Sequence, residues 1–235
     1  MRSQTFITDR SQLLPGIVVR TAGCGRCFDI VCAVAGLLVL WPALLLIALV
    51  ILIFDGPPLL FRQERVGLRG KPFRIWKFRT MTPGLPGADD LLITAAGDPR
   101  ITKLGRWLRE SKLDELPQLL NVLVGEMSVI GPRPEVSRYV QLDAPVWQSA
   151  LAVRPGITDL ATLAYVDEER ALAAQRDPEA YYRDTILPRK LGLNVRYLQL
   201  RSWRTDLQMI LLTAGHVLGL APRDQGWMQK FLAAE

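Results

Sequence analysis

RESKLDELPQLLNVLVGEMSVIGPRP, residues 109–134, sets two carboxylates where an apolar periodic segment begins. Asp114 and Glu115 are adjacent, and Pro117 follows two positions after Glu115. A proline suits the first turn of a helix, because the N–H it lacks would have no partner there. Leu116, Leu120, Leu123 and Val124 then recur at helical spacing, which predicts a helix with one apolar face. Arg109 and Lys112 precede the acid pair, and Arg133 follows it. Two carboxylates at a helix start, framed by cations, fill a core poorly. They suit the holding of a metal ion, a phosphate and a nucleophile in one place.

The 235-residue chain is one catalytic domain, or one domain plus an appendage. A net charge of +6 beside 49% hydrophobic residues excludes a disordered tail and suits anionic lipid or phosphate-bearing substrates. Nucleic acid is not expected as a partner, since no helix-turn-helix, finger or aromatic RNA-binding signature is present. The three cysteines, Cys24, Cys27 and Cys32, lie at the edge of an apolar segment. Cys24 and Cys27 have redox-motif spacing, but no strand–helix pattern surrounds them, and a zinc site lacks a second pair. His216 is the sole histidine and falls in an apolar helical pattern, so the chemistry rests on carboxylates and cations.

From Ile30 to Phe54 there is no charged residue. The run exceeds the ~20 residues that a membrane span needs. It begins too far into the chain, and is too long, for a cleaved leader. Trp41-Pro42 lies at its midpoint, where a proline kinks a helix. Arg2, Arg10, Arg20 and Arg26 stand before the run, and Arg62, Arg65, Arg69, Lys71, Arg74, Lys77 and Arg79 after it. Both flanks therefore read as cytoplasmic. A helix–break–helix entering and leaving by one face satisfies both flanks; a true span satisfies one.

Beyond Asp55-Gly56-Pro57-Pro58, residues 59–63 and 73–81 read as short strands around a Gly67-Leu68-Arg69-Gly70 turn. That turn lacks the spacing of a phosphate-binding P-loop. Residues 82–99, rich in Pro, Gly and Asp, form a long loop, either a lid over a nucleotide site or a linker. Residues 101–109 read as a basic amphipathic helix that lies on lipid or faces the site. Trp203, Leu207, Ile210, Leu211, Ala214, Val217 and Leu218 share a stripe on a C-terminal helix, with packing on the domain expected first and membrane contact second. Asp206, at the edge of that stripe, needs a partner for its carboxylate.

The segment from Leu108 to Glu135, with Lys77-Phe78-Arg79-Thr80-Met81, Asp98-Pro99-Arg100-Ile101-Thr102 and Arg154-Pro155-Gly156-Ile157-Thr158, closely resembles the signature of the bacterial sugar transferases. These are small monotopic phosphoglycosyl transferases, and the resemblance covers residues 26–220. It implies a mainly α fold with a small β element. An N-terminal re-entrant helix-break-helix would hold a compact cytosolic catalytic domain on the bacterial inner membrane. The expected divisions are a basic flank at 1–29, the re-entrant helix at 30–54, the catalytic domain at 55–220 and a tail at 221–235.

The implied reaction moves a sugar 1-phosphate from a UDP-sugar to a polyprenol phosphate and releases UMP. Rival classes are a glycosyl transferase releasing UDP and an inactive membrane scaffold; an oligomer is compatible with either. By resemblance Asp114 is the nucleophile, and Glu115 helps to hold Mg²⁺ or the acceptor, so both acids are candidate metal ligands. Arg109 and Arg133 suit bidentate phosphate contacts. Lys77, Arg79 and Arg154 match basic positions of the family's motifs, and Asp206 matches a family acid near the C-terminus. The chain departs from the family at Trp41, where Ser usually precedes the proline, and at Glu126, where Asp is usual. Asp159 stands where the family favours Gly, which is expected to reshape the nucleotide or sugar pocket.

Overall fold

The computed structural model of the chain describes residues 23–83, 93–217 and 219–220. Most of the expected basic flank, the middle of the 82–99 loop with its lid reading, and the tail after 220 lie outside the described residues. Helices dominate, with two small two-stranded sheets among the described residues, an architecture compatible with a monotopic membrane protein.

Helix α1, Arg26–Phe54, is a single element of 29 residues, long and apolar enough to cross a membrane. Its helical assignment continues through Trp41-Pro42, where the sequence predicts a break. The proline removes one backbone bond, and packing at both ends of the helix offsets that loss. Near its start Ala33 is buried with Phe73, Ile75, Val122 and Met127. Near its end Ile47 and Ile51 are buried with Phe78 and Leu108. A helix of this length extends about 43 Å, so contact at both ends lays one face along the domain. Val31, Leu38, Val39, Trp41, Leu45 and Leu46 are exposed.

Polar ties reinforce the docking. Asp29, itself buried, accepts hydrogen bonds from Ser128 Oγ at 2.8 Å and Val129 N at 2.9 Å. Arg26 donates to the carbonyls of Val122 and Leu123. At the far end Thr102 Oγ1 donates to Asp55 Oδ2 at 2.8 Å while capping helix α2, Lys103–Glu110.

Strands β1, Leu60–Val66, and β2, Pro72–Phe78, form the expected hairpin, with Leu60 opposite Phe78 and Val66 opposite Pro72. A second sheet has no counterpart in the sequence reading. It pairs β3, Ser128–Ile130, with β4, Gly156–Thr158, in parallel. Three-residue strands are too short to show a period. Gly131 and Gly156 let these backbones meet: a Cβ on Gly156 would run into the backbone of Gly131.

Helix α3, Gln118–Val124, begins after the acid pair, not at it. Asp114 and Glu115 sit in a preceding 3-10 turn, Leu113–Glu115, with Pro117 as the residue before the helix. The expected apolar face is also inverted. Gln118, Asn121 and Val122 are buried, whereas Leu120, Leu123 and Val124 are exposed. Asn121 explains the inversion. It accepts from Trp76 N at 3.0 Å and donates to the carbonyl of Arg74 at 2.8 Å, which satisfies backbone groups of β2.

The last helix repeats this reversal. After α4 (Pro145–Ala150), α5 (Leu160–Ala164), α6 (Glu168–Ala173), α7 (Pro178–Tyr181) and α8 (Leu187–Leu200) comes α9, Trp203–Val217. Its buried positions are Asp206 and Met209, while Trp203, Leu207 and Leu211 are exposed at 60%, 43% and 63%. Three members of the stripe expected to pack on the domain, Trp203, Leu207 and Leu211, therefore point outward, while Ile210 packs against the core. The second sequence reading, contact with a membrane, is the one that this exposure suits.

Candidate active site

The acid pair is reached from three directions, each fixed by local structure. Lys112 takes a left-handed conformation, with φ 58°, and turns the chain from α2 into the 3-10 turn that carries Asp114 and Glu115. Strand β2 supplies Lys77, whose Nζ lies 2.8 Å from Glu115 Oε1. Asn121 holds the adjoining backbone of β2, through Trp76 N, against α3. The segment after β3 supplies Arg133, whose guanidinium straddles the Glu115 carboxylate. Its NH1 donates to Oε2 at 3.1 Å and its NH2 to Oε1. This bidentate fork combines charge with direction.

The two carboxyls differ in consequence. Asp114 and Glu115 are 4% and 8% exposed. Burial alone raises the Glu115 carboxyl, but Arg133 and then Lys77 overcome it and hold that group well below the usual range. Glu115 is thus a fixed anion bound by two cations. For Asp114, burial pushes the carboxyl up, Lys77 opposes the shift and the neighbouring Glu115 charge adds to it. Asp114 Oδ1 is buried with no hydrogen-bond partner. An oxygen left without a donor is costly in a folded chain, which makes it the group on which an incoming ligand has most to gain. Burial lowers the Lys77 ammonium and Glu115 opposes that shift, while Glu115 above all raises Arg133.

A pH dependence follows. A carboxyl whose value is raised is protonated at low pH and ionises only as pH climbs through that raised value. If the reaction needs the Asp114 anion, the acidic limb of kcat/KM lies above the ordinary aspartate range. Lys77 lowers Asp114, so Lys77→Met is expected to move that limb to still higher pH. A limb in the ordinary range that does not respond to Lys77→Met contradicts the assignment.

The remaining sequence candidates divide. Arg109 lies near enough to favour the Asp114 anion, while its NH2 donates to Glu169 Oε1 at 2.5 Å. Arg79 is not brought to the acid pair as an anion contact. It is buried, and its guanidinium donates to the carbonyls of Asp55, Gly56 and Pro57, closing the end of α1. Arg154 Nε donates to the carbonyl of Gly125 at 2.9 Å, at the C-terminal cap of α3, where Gly125 has φ 92°. Asp206 is fully buried in a separate cluster, accepting from Tyr197 Oη and from Cys24 N at 2.7 Å, with Arg201 at 3.5 Å. None of these partners belongs to the acid pair's cluster. The spacing of cations in sequence cannot separate Lys77 from Arg79, because they stand two positions apart in one motif and only their partners differ.

Residues that the sequence reading did not assign to the site also shape it. Asn121 and Glu169 are as above. Asp159, read from sequence as reshaping a pocket, caps α5 and binds the backbone of Arg133, with Oδ2 accepting from Arg133 N at 2.9 Å. The signal for Asp159 was its departure from the family pattern; Asn121 and Glu169 gave none.

Toward a divalent cation the two acids of the pair offer different oxygens. Both oxygens of Glu115 already face Lys77 and Arg133, and no group of three or more His, Cys, Asp or Glu forms among the described residues. Asp114 Oδ1 alone has the character of a free hard-cation ligand.

The profile of the bacterial sugar transferases matches residues 20–219. A Caulobacter vibrioides protein named UDP-glucose:undecaprenyl-phosphate glucose-1-phosphate transferase is 37% identical over 196 residues, 82% of this chain and 69% of its own length. The undecaprenyl-phosphate glucose phosphotransferase of Komagataeibacter xylinus is 37% identical over 194 residues, 80% of this chain but 34% of the relative. A UDP-N-acetylgalactosamine-undecaprenyl-phosphate N-acetylgalactosaminephosphotransferase of Aeromonas hydrophila is 39% identical over 148 residues, 60% of this chain and 34% of its own. The aligned part of the chain spans about a third of the length of the last two relatives. A match running from before α1 to the end of α9 makes this chain a member of the bacterial sugar transferase family.

Proposed function

We propose that the chain transfers a sugar 1-phosphate from a UDP-sugar to a polyprenol phosphate at the cytosolic face of the bacterial inner membrane, releasing UMP. The observation that carries this reading is the asymmetry of the acid pair. Glu115 is neutralised by Lys77 and Arg133, while Asp114 offers a buried oxygen with no partner. Relatives named for undecaprenyl phosphate and a sugar nucleotide support it.

In the proposed reaction the Asp114 carboxylate attacks the phosphorus that bears the sugar. A P–O bond forms to Asp114, and the bond to the UMP phosphate breaks with its electron pair leaving on UMP. A phosphate oxygen of the polyprenol phosphate then attacks the same phosphorus. The acyl-phosphate bond breaks, Asp114 regains its carboxylate, and a polyprenyl diphosphosugar departs. Arg133 and Lys77 hold positive charge beside the reacting phosphates, and Arg109 adds to it from α2.

Mg²⁺, when bound, neutralises charge on the diphosphate. Asp114 and substrate phosphate oxygens would hold it, with Glu115 serving through its cations. Chelation is expected to abolish UMP release and added Mg²⁺ to restore it. Full turnover in excess chelator removes the ion from the scheme and leaves the charge to the arginines.

The membrane placement rests on the two-ended docking of α1 and the outward apolar faces of α3 and α9. A helix standing across the bilayer would leave the domain after its first turns. With the native cysteines replaced by serine, single cysteines near residue 20 and at Lys71 are both expected to react only from the cytoplasmic side. External labelling of the first establishes a true span.

The test of the reaction is product identity: a screen of UDP-sugars with a polyprenol phosphate should yield UMP. UDP as the product marks a transfer of the sugar alone, and no turnover with any donor marks a scaffold.

A further inference from the structure

We infer that Asp159 is a positioning residue for Arg133, and that this chain sets its phosphate-binding arginine through a buried carboxylate between β4 and α5. The inference deepens the reading above and rests on it for the role of Arg133.

Asp159 is fully buried. Its two oxygens have two different duties. Oδ1 accepts from Thr162 N at 2.5 Å and caps α5. Oδ2 accepts from Arg133 N at 2.9 Å, across a sequence separation of 26 residues. A cap needs one oxygen, so α5 explains only half of this side chain. Among the described residues no cationic side chain forms an ion pair with Asp159, yet its charge acts on the Arg133 guanidinium and favours its protonated form, after the larger influence of Glu115. A buried charge held by backbone N–H groups alone is expensive. Such a charge is retained where it fixes something.

What it fixes is the loop that presents Arg133. On one side Gly131 packs backbone to backbone against the segment from Arg154 to Gly156, with Gly131 N bonded to Thr158 O at 3.1 Å. On the other side Glu135 is buried, accepting from Tyr182 Oη at 2.6 Å, while its carbonyl accepts from Val66 N at 2.9 Å. Both neighbours of Arg133 are prolines without an N–H, so Arg133 carries the sole amide donor between Gly131 and Glu135. Asp159 takes that donor. The backbone of the clamp is thereby secured at its centre as well as at its ends, and the fork on Glu115 keeps its direction.

Two variants separate this role from capping. Asp159→Asn keeps one acceptor and the fold of α5, and Asp159→Gly removes both acceptors. Each is made in the wild-type background and with Arg133→Met, which keeps the backbone N–H but has no guanidinium to aim. Melting curves establish which variants are folded. The readouts are kcat and KM for UMP release, and UDP binding by calorimetry, which does not depend on turnover. In the wild-type background the Asp159→Gly variant is expected to lose about 10- to 100-fold in kcat/KM, the scale of a hydrogen bond to a charged group, and to weaken UDP binding. With Arg133→Met present, the same substitution should change either readout less than about twofold. The Asn variant, which keeps an acceptor for one of the two donors, should lose less than the Gly variant in the wild-type background and change little beside Arg133→Met; a loss larger than that of Gly would overturn the proposal.

Equal losses in both backgrounds would show a purely structural cap and overturn the proposal, as would an unchanged Asp159→Gly enzyme. A wild-type protein that binds UDP but releases no UMP removes the transferase reading instead, and the binding cycle still decides for or against Asp159.

Discussion

Asp114→Asn is expected to reduce UMP release on the order of 10³–10⁵-fold while leaving the protein folded. Asparagine keeps the size of the side chain and loses both charge and nucleophilicity. Stability should not suffer, because burial disfavours the Asp114 anion and Oδ1 has no donor to lose. Replacing an unsatisfied buried acid by an amide is expected to leave the melting temperature unchanged or raise it. A dead enzyme with an intact melt is the signature of chemistry at this position. A comparable loss of folding instead marks Asp114 as part of the scaffold.

Glu115→Gln is the second large effect, and it works through charge. The substitution leaves Lys77 and Arg133 without their shared carboxylate. Breaking a buried ion pair by removing one partner costs about 3–5 kcal/mol, so the melting temperature should drop. Turnover should fall roughly 10²–10³-fold, the scale of losing organised electrostatic support. The direction of the pH profile is the sharper readout. Glu115 raises Asp114, and Lys77 lowers it. Removing the glutamate charge frees Lys77 to act on Asp114, so the acidic limb of kcat/KM should move to lower pH, opposite to the shift from Lys77→Met. A limb that moves the same way in both variants contradicts the assignment of Asp114 as the titrating group. The covalent intermediate should still form in Glu115→Gln, more slowly.

The contrast between these variants also shows what the sequence could and could not reveal. Acid pair, helix, hairpin and the long apolar segment are all visible in local patterns. Lys77 and Arg133 lie far from Glu115 in sequence yet close on it from two sides, and only the motifs hinted that they converge. Periodicity identified the apolar faces of α3 and α9 but not their direction. Leu120, Leu123, Val124, Trp203, Leu207 and Leu211 are exposed while Asn121 and Asp206 face inward. A stripe states that a helix has two environments; in a protein held against lipid, the apolar one can lie outside.

Cations pose a similar difficulty. Lys77 in β2 and Arg79 just beyond it share a motif, but one meets a carboxylate and the other three carbonyls at the end of α1. Asp206 was legible as an acid in need of a partner, though its partners, Tyr197, Arg201 and the backbone of Cys24, are brought together only by packing. Asp159 ran the other way, since its departure from the family pattern marked it, and only the geometry shows that its second oxygen reaches Arg133.

The covalent aspartyl intermediate is the centre of this account, and one measurement addresses it directly. Wild-type protein is incubated with a sugar-labelled UDP-sugar and Mg²⁺ in the absence of polyprenol phosphate, quenched, denatured and digested. UMP release of up to one equivalent is expected, with a sugar phosphate on the peptide that contains Asp114, lost when acceptor is added and absent from Asp114→Asn. Turnover that proceeds only when both substrates are present, with no UMP and no labelled peptide before acceptor is added, contradicts it.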